Sequence, residues 1–99
     1  MPCVLGTACV DLDGVLLYHR SEWGNSLLGL VLPLGLKLCQ LLNRRWAIVV
    51  FTARPKAQHA DIEEYLKLHR VPFSDVTNVK PPADAYFDDK AYRIPKNWK

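Results

Sequence analysis

The amino-acid sequence predicts a single α/β domain in layers, with a mostly parallel sheet. Its 99 residues are too few for two domains of ordinary size. A composition of 49% hydrophobic and 23% charged residues is that of a globular protein and excludes a disordered or fibrous chain. Short runs with β propensity alternate with helical segments, and this alternation is typical of parallel strands joined by crossover helices.

The first strand is predicted at residues 7–12, an apolar run that ends in two acids. Gly14 marks a turn directly after it. Residues 15–32 are ambiguous, because residues 15–17 could extend a hairpin whereas residues 21–26 have the composition of a loop.

The first helix is predicted from Pro33, which suits the first position of a helix. Apolar residues follow it at helical spacing: Leu34, Leu38, Leu41 and Leu42. Residues 43–45 close this helix. Residues 46–51 are apolar and rich in β-branched and aromatic side chains, which predicts a second, buried strand.

The second helix is predicted at residues 56–69. Acidic residues precede basic ones along it, an order that suits the helix dipole, and Pro72 stops it. Three short strands complete the sheet. We place them at residues 74–77, 85–88 and 92–94.

Charge and cysteine content narrow the classes of function. The net charge of +3 permits phosphorylated substrates and is far weaker than that of a polybasic nucleic-acid arm, so nucleic acid is a possible partner that the charge does not support. Three cysteines among apolar neighbours predict buried, reduced thiols. The apolar stretch at residues 27–42 is interrupted and too short to span a membrane. We therefore expect a soluble cytoplasmic protein with no membrane partner.

Acidic, hydroxyl and amino side chains occur where the predicted strands end. They are Asp11, Asp13, Thr52, Lys80, Asp88 and Asp89. Because open parallel sheets bind ligands at the carboxyl ends of their strands, we expect these side chains to converge on one crevice.

This set of residues suits phosphoryl transfer. Carboxylates so close together need a cation, and hard oxygen ligands with open positions suit Mg²⁺, which also binds substrate phosphate. Asp11 at the strand tip could attack phosphorus and form an aspartyl-phosphate, while the displaced Asp13 handles a proton. Lys80, Thr52 and loop amides would stabilise the phosphoryl oxygens.

Four short motifs resemble those of the haloacid dehalogenase (HAD) superfamily in order and spacing, over nearly the whole chain. Residues 11–15, Asp-Leu-Asp-Gly-Val, resemble its first motif. Thr52, followed by Ala-Arg-Pro, resembles the second motif, Lys80 the third, and the acid pair at residues 88–89 the fourth.

The resemblance implies a role for each matching residue. Asp11 would be the nucleophile and a magnesium ligand. Asp13 would be the general acid and base, with its backbone carbonyl on the metal. The phosphoryl group would be held by Thr52, Ala53 and Lys80.

The resemblance also implies the remaining metal ligands and the fold. Asp88 would complete the metal site, and Asp89 would be accessory to it, directly or through water. The family's core is a three-layer Rossmann-like fold with a mostly parallel five-stranded sheet in the order 3-2-1-4-5.

In members of this family that carry a cap domain, the cap is inserted between the first and second motifs or between the second and third. Here the intervals at residues 14–51 and 53–79 are each filled by one predicted helix and its loops. The chain therefore resembles capless members, with a β-flap at residues 15–20 over the site. Dehalogenation is not expected without a helical cap, and the leading function is a Mg²⁺-dependent phosphatase acting on a phosphomonoester.

Several side chains have two interpretations. His19 and Arg20 could contact substrate phosphate or belong to an exposed polar loop. Arg54 could reach the site or brace the acids. Lys90 competes with Lys80 for the phosphoryl group.

Three further residues are assigned structural or surface positions, and two other functions stay open. His59 and His69 are expected on a helix surface, and Asp84 is expected to be structural. An open site also suits macromolecular phosphate, such as nucleic-acid ends or phosphoproteins. A non-catalytic binding or assembly module is the other candidate, since the apolar run at residues 27–32 could form a homo-oligomer or partner surface, or simply enter the core.

Overall fold

The chain alternates strands and helices as the sequence predicts. The computed structural model describes residues 5–18 and 28–88, and the backbone of residues 92–93. The elements are β1 (Gly6–Asp11), α1 (Pro33–Leu42), β2 (Trp46–Phe51), a 3-10 turn (Lys56–Gln58), α2 (His59–Leu68), β3 (Asp75–Thr77), β4 (Ala85–Phe87) and β5 (Tyr92–Arg93). The predicted elements are confirmed with small shifts at their ends, and only the first turn of the second helix differs in kind.

Four strands form a parallel sheet in the order β3-β2-β1-β4. The fifth strand, β5, has two residues and pairs antiparallel with β4 at the sheet edge. The expected order of neighbours is confirmed, but the parallel part of the sheet contains four strands rather than five. This order is compatible with a Rossmann-like α/β fold.

Both helices pack on the same face of the sheet. The two crossovers β1-α1-β2 and β2-α2-β3 advance in one direction across the sheet, and right-handed crossovers then bring both helices to one side. One buried cluster joins this sheet face to both helices: Ala8, Val10, Leu12, Ile48, Val50, Cys39, Leu42, Ile62 and Leu66. The described residues therefore form two layers, one of helices and one of strands. The predicted third layer is not present among them.

The connection from β3 to β4 explains why a second helical layer is missing among the described residues. Residues 78–84 cross the opposite face of the sheet in too few residues to form a crossover helix. Tyr86 of β4 holds this connection, because its hydroxyl donates to the carbonyl of Pro81 at 2.7 Å and accepts from the N–H of Ala83 at 2.9 Å.

Asp84 joins the end of this connection to β1. Its carboxylate accepts the N–H of Thr7 at 2.8 Å, and its own N–H donates to the Thr7 carbonyl at 2.8 Å. The expected structural role of Asp84 is confirmed. These two hydrogen bonds fix the position at which β4 begins to pair with β1.

A short hairpin follows the acids at the end of β1. The N–H of Tyr18 donates to the carbonyl of Leu30, and the N–H of Leu32 donates to that of Leu16, each at 2.8 Å. This pairing involves the first part of the flap expected at residues 15–20, and a flap over the site stays a prediction. His19 and Arg20 lie outside the described residues.

The apolar run at residues 27–32 divides between core and surface. Leu28 and Val31 pack against the buried cluster, whereas Leu30 is 73% exposed. Entry into the core is confirmed for Leu28 and Val31, and an oligomer or partner surface at this run stays a prediction. No helix within the described residues is long and apolar enough to cross a membrane.

Two of the three cysteines are buried, reduced thiols, as expected. Cys39 lies in the core on α1, and burial raises the pKa of its thiol to about 12. Cys9 lies on β1 and faces away from the cluster, since strand side chains alternate between the two faces. Cys3 is outside the described residues.

We expect α2 to contribute to stability through its buried face. Leu66 is fully buried in the cluster, whereas Leu68, two residues further along the same helix, is 75% exposed. The variant Leu66→Ala should lower the free energy of unfolding by about 2–5 kcal/mol, because a buried cavity replaces the side chain.

Urea unfolding of the two variants measures this difference. The matched variant Leu68→Ala should stay within about 0.5 kcal/mol of the parent. Equal losses from both variants would show that this packing of α2 is wrong.

Candidate active site

Two carboxylates end neighbouring strands at the same edge of the sheet. Asp11 is the last residue of β1, and Val10 pairs with Phe87, the last residue of β4. One step further in this register, Asp88 comes opposite Asp11. Neighbouring strands lie about 4.8 Å apart, so the two acids stand side by side.

The boundary between β1 and β4 is where the order of the strands reverses. From β1 the chain proceeds to β2 and β3 on one side, and it then crosses back to β4 on the other side. In open parallel sheets, ligands bind at the carboxyl ends of the strands on either side of such a reversal. Asp11 ends β1 and Asp88 directly follows β4, so the two acids lie at this position.

Cys9 lies beneath the two acids on the same face of β1. Burial raises the pKa of its thiol, the ammonium of Lys80 opposes this change, and the carboxylates of Asp11 and Asp88 add to it. One buried sulfur thus experiences the charges of three predicted site residues. This places Lys80 with the two acids on the sheet face opposite the helices.

Lys80 reaches this position from the connection after β3. Its ammonium lies 5.1 Å from the ring centroid of Phe51 and 5.6 Å from that of Tyr86. Both distances are within the range of cation–π attraction, and the rings hold the charge near the ends of β2 and β4. The competing Lys90 is outside the described residues.

The turn that presents Asp13 requires glycine at two positions. Gly14 has φ 95°, a left-handed conformation that is costly for other residues. Gly35 of α1 packs so closely on this turn that a Cβ there would overlap the carbonyl oxygen of Val15. The turn and the start of α1 therefore form one rigid unit.

Arg54 braces Asp13, one of the two roles that the sequence left open for this arginine. Its Nε donates to Oδ2 of Asp13 and its Nη2 donates to Oδ1, each at 3.0 Å. The side chains are 12% and 22% exposed, so this bidentate pair is largely shielded from water. Nη1 of Arg54 also donates a hydrogen bond to Oε1 of Gln58 at 3.3 Å.

Thr52 is buried directly after β2. Its N–H donates to the carbonyl of Thr77 at 2.9 Å, which continues the sheet pairing. Its Oγ1 accepts the backbone N–H of Arg54 at 3.0 Å, a bond that does not use the hydroxyl hydrogen. Ala53, between them, is exposed.

His59 is a correction to the sequence interpretation, which placed it on a helix surface. It is only 9% exposed, and its Nε2 lies 3.2 Å from the carbonyl oxygen of Arg54. A carbonyl can only accept, so the imidazole donates and ties the start of α2 to the loop after Thr52. His69 is exposed as expected.

The predicted residues gather into two adjacent groups. One contains Asp11, Asp88 and Lys80 around Cys9, and the other links Asp13, Thr52 and Ala53 to Arg54. Asp89, His19 and Arg20 lie outside the described residues.

Sequence reasoning missed Cys9, which lies in the first group, and the buried His59, which contacts the second through Arg54, although the sequence contains a signal for each. Cys9 lies two residues before Asp11, which places both on one face of the strand. His59 has the spacing i, i+3, i+7 with Ile62 and Leu66, the other buried residues of α2.

The donor set fits a magnesium ion. Within the described ranges no three His, Cys, Asp or Glu side chains gather into a metal-binding group. Mg²⁺ does not need one, since it keeps several waters and is commonly bound by one or two carboxylates and substrate phosphate. Asp11 and Asp88, two carboxylates at the ends of adjacent strands, provide side chains of this kind.

One solved structure shares this fold. A conserved protein from Bacteroides thetaiotaomicron matches with a TM-score of 0.70 and 20% sequence identity, over 87% of this chain and 77% of that one. At this identity the match shows a common fold alone. No family model and no curated protein matches the chain.

We expect the pair formed by Arg54 and Asp13 to stabilise the folded chain. Its two charge-assisted hydrogen bonds are largely buried, so a double-mutant cycle with Arg54→Gln and Asp13→Asn should give a coupling energy of about 1–3 kcal/mol in urea unfolding. Arg44 is exposed in the turn after α1 and provides the control. The cycle of Arg44→Gln with Asp13→Asn should show no coupling, and a similar value in both cycles would contradict the pairing.

Proposed function

We propose that this protein is a Mg²⁺-dependent phosphohydrolase of the capless HAD type that cleaves a phosphomonoester through an aspartyl-phosphate on Asp11. The observation that supports it most is that Asp11 ends β1 and Asp88 directly follows β4, the two neighbouring strands between which the strand order reverses. This is the edge of an α/β sheet at which ligands bind. The reaction needs a nucleophilic carboxylate there together with a second acid.

In the proposed first step, an Asp11 carboxylate oxygen attacks the substrate phosphorus. A bond forms between that oxygen and phosphorus, and the bond from phosphorus to the ester oxygen breaks. The electron pair leaves with the ester oxygen, which takes a proton from Asp13. The products of this step are an alcohol and the phosphorylated Asp11.

In the proposed second step, water hydrolyses the aspartyl-phosphate. Asp13, now a carboxylate, takes a proton from the water as its oxygen bonds to phosphorus. The bond from phosphorus to the Asp11 oxygen breaks and returns the carboxylate. Inorganic phosphate leaves, and both acids regain their initial protonation states.

Arg54 has a defined part in this proposal. Both oxygens of Asp13 accept hydrogen bonds from Arg54 in the structure, so one of these bonds must open before that carboxyl can pass a proton to the ester oxygen. The guanidinium keeps Asp13 oriented until the substrate arrives. Arg54 is therefore a positioning residue in this scheme.

The phosphoryl oxygens would be bound by groups that lie at the same sheet edge. The hydroxyl of Thr52 can donate its hydrogen, the exposed loop at Ala53 offers a backbone N–H, and Lys80 supplies a positive charge. Negative charge develops on these oxygens in the transition state. Hydrogen-bond donors that are already in position stabilise this charge without reorganisation.

Asp11, Asp88 and the Asp13 carbonyl would hold the magnesium ion in this proposal. When bound, the ion would offset the repulsion between the carboxylates and the phosphate. Asp89, His19 and Arg20 remain accessory candidates, as the resemblance and the flap suggested.

The activity test uses hydrolysis of p-nitrophenyl phosphate with and without Mg²⁺. The parent protein should be active only with the metal, and Asp11→Asn should fall to the rate of the buffer. The variant Asp13→Asn should lose about 10²–10⁴-fold in kcat, the usual contribution of a general acid and base.

The control is Asp61→Asn, which removes an exposed carboxylate from α2 and should leave kcat unchanged. Hydrolysis by the parent that Asp11→Asn retains in full would overturn the proposal. So would the absence of activity with every divalent metal tried.

A further inference from the structure

An apolar stripe crosses the outer face of α1. Leu34 is 83% exposed and Leu41 is 53% exposed. They are seven residues apart, with Leu38 between them at helical spacing, so the three side chains share one side of the helix. Leu30, in the hairpin strand before α1, is 73% exposed.

A groove runs along one side of this stripe. It has a volume of about 280 Å³ and lies between the turn after Asp13 and the first two turns of α1. Val15, Leu34 and Leu38 contribute its apolar lining, and Gly35 provides the close approach of helix and turn. The groove has room for large apolar side chains of a ligand.

Exposed positive charge lies beside the stripe and directly after the end of α1. Lys37 on α1 and Arg44 and Arg45 in the following turn are all exposed, and residues 28–45 contain no acidic residue. On a helical projection Lys37 is about 60° from Leu34, on the side away from Gly35. The groove, the leucines and Lys37 therefore follow one another across a single face, and the two arginines lie at the end of the helix that carries it.

We propose that this face of α1 binds an amphipathic helix of a partner protein, with an apolar stripe flanked on one side by acidic residues. A helix in a groove is anchored by apolar side chains at spacings of three and four residues, which matches the leucines. The acids of the partner would meet Lys37, Arg44 and Arg45, and such complementary charge selects and orients a partner.

Two other occupants fit this face less well. Two copies of the chain packed antiparallel through α1 about a twofold axis would bring Lys37 close to Lys37 of the second copy, and residues 28–45 contain no acidic residue to offset the repulsion. An anionic membrane would attract the cations but would not fill a concave groove. The inference does not depend on the proposed phosphatase activity, because none of its residues takes part in that reaction.

The test uses a fluorescent, side-chain-stapled helical peptide of about 18 residues, with leucines at helical spacing and glutamates along one flank. A second peptide carries lysines in place of the glutamates. Fluorescence anisotropy should show binding of the acidic peptide, at least about tenfold weaker binding of the basic one, and weaker binding of the acidic peptide as salt rises.

Variants at exposed positions locate the site without unfolding the protein. Leu34→Ser and Lys37→Glu should each weaken binding of the acidic peptide by about tenfold or more. The controls Leu68→Ser and Lys67→Glu change the same residue types at exposed positions on α2 and should bind like the parent.

The other results overturn the proposal. It is wrong if neither peptide binds, if both bind equally, or if Leu34→Ser binds like the parent. Sedimentation that shows a dimer lost in Leu34→Ser would assign the face to a second copy of the chain. Tighter binding to phosphatidylserine vesicles than to the acidic peptide, lost in Lys37→Glu, would assign it to a membrane.

Discussion

The central position of β1, hydrogen-bonded to β2 on one side and β4 on the other, is the constraint on which the rest of the structure depends. Ala8, Cys9 and Val10 are buried between the two neighbouring strands. Because both partners run parallel to β1, all three strands end at the same edge. Backbone pairing alone is therefore enough to bring together the residues at the ends of these strands.

The same constraint separates the two faces of the sheet by role. Ala8 and Val10 point into the cluster beneath α1 and α2, which supplies the hydrophobic stabilisation. Cys9 and Asp11 point to the other face, which the connection at residues 78–84 crosses with Lys80. Charged groups therefore gather on the face that lacks a described helix, where burying them costs less than in the core.

The turn after β1 is coupled to both helices. Gly35 lets α1 pack against the turn, and Arg54 ties Asp13 to the loop after β2. His59 then ties that loop to the start of α2. Movement of Asp13 is therefore opposed by contacts from three elements. The role of general acid proposed for Asp13 requires an accurately positioned carboxyl group, and this network holds that group in place.

Local sequence signals were enough to predict the elements and the strand-end residues. Apolar runs followed by Asp11 and Thr52 identify where β1 and β2 stop, and Pro33 identifies where α1 starts. The contacts of these residues could not be predicted in the same way. The bond between Arg54 and Asp13 joins positions far apart in the chain, and nothing local to either residue specifies it.

The layer arrangement was missed for a related reason. The family resemblance implied helices on both faces, whereas the described connection from β3 to β4 is too short to hold one. The burial of His59 also depends on a distant backbone atom, the Arg54 carbonyl, although its spacing with Ile62 gave a hint. Single-residue signals predict positions along the chain, and pairings across the fold require the structure.

The central claim is that Asp11 carries the phosphoryl group between the two steps. Acid quenching during turnover of p-nitrophenyl phosphate, followed by mass spectrometry of proteolytic fragments, tests it most directly. The account predicts a phosphoryl group on Asp11, more of it in Asp13→Asn, where its hydrolysis is slowed, and none in Asp11→Asn. A phosphoryl group on another residue, or hydrolysis with no phosphorylated protein in either the parent or Asp13→Asn, would contradict the account.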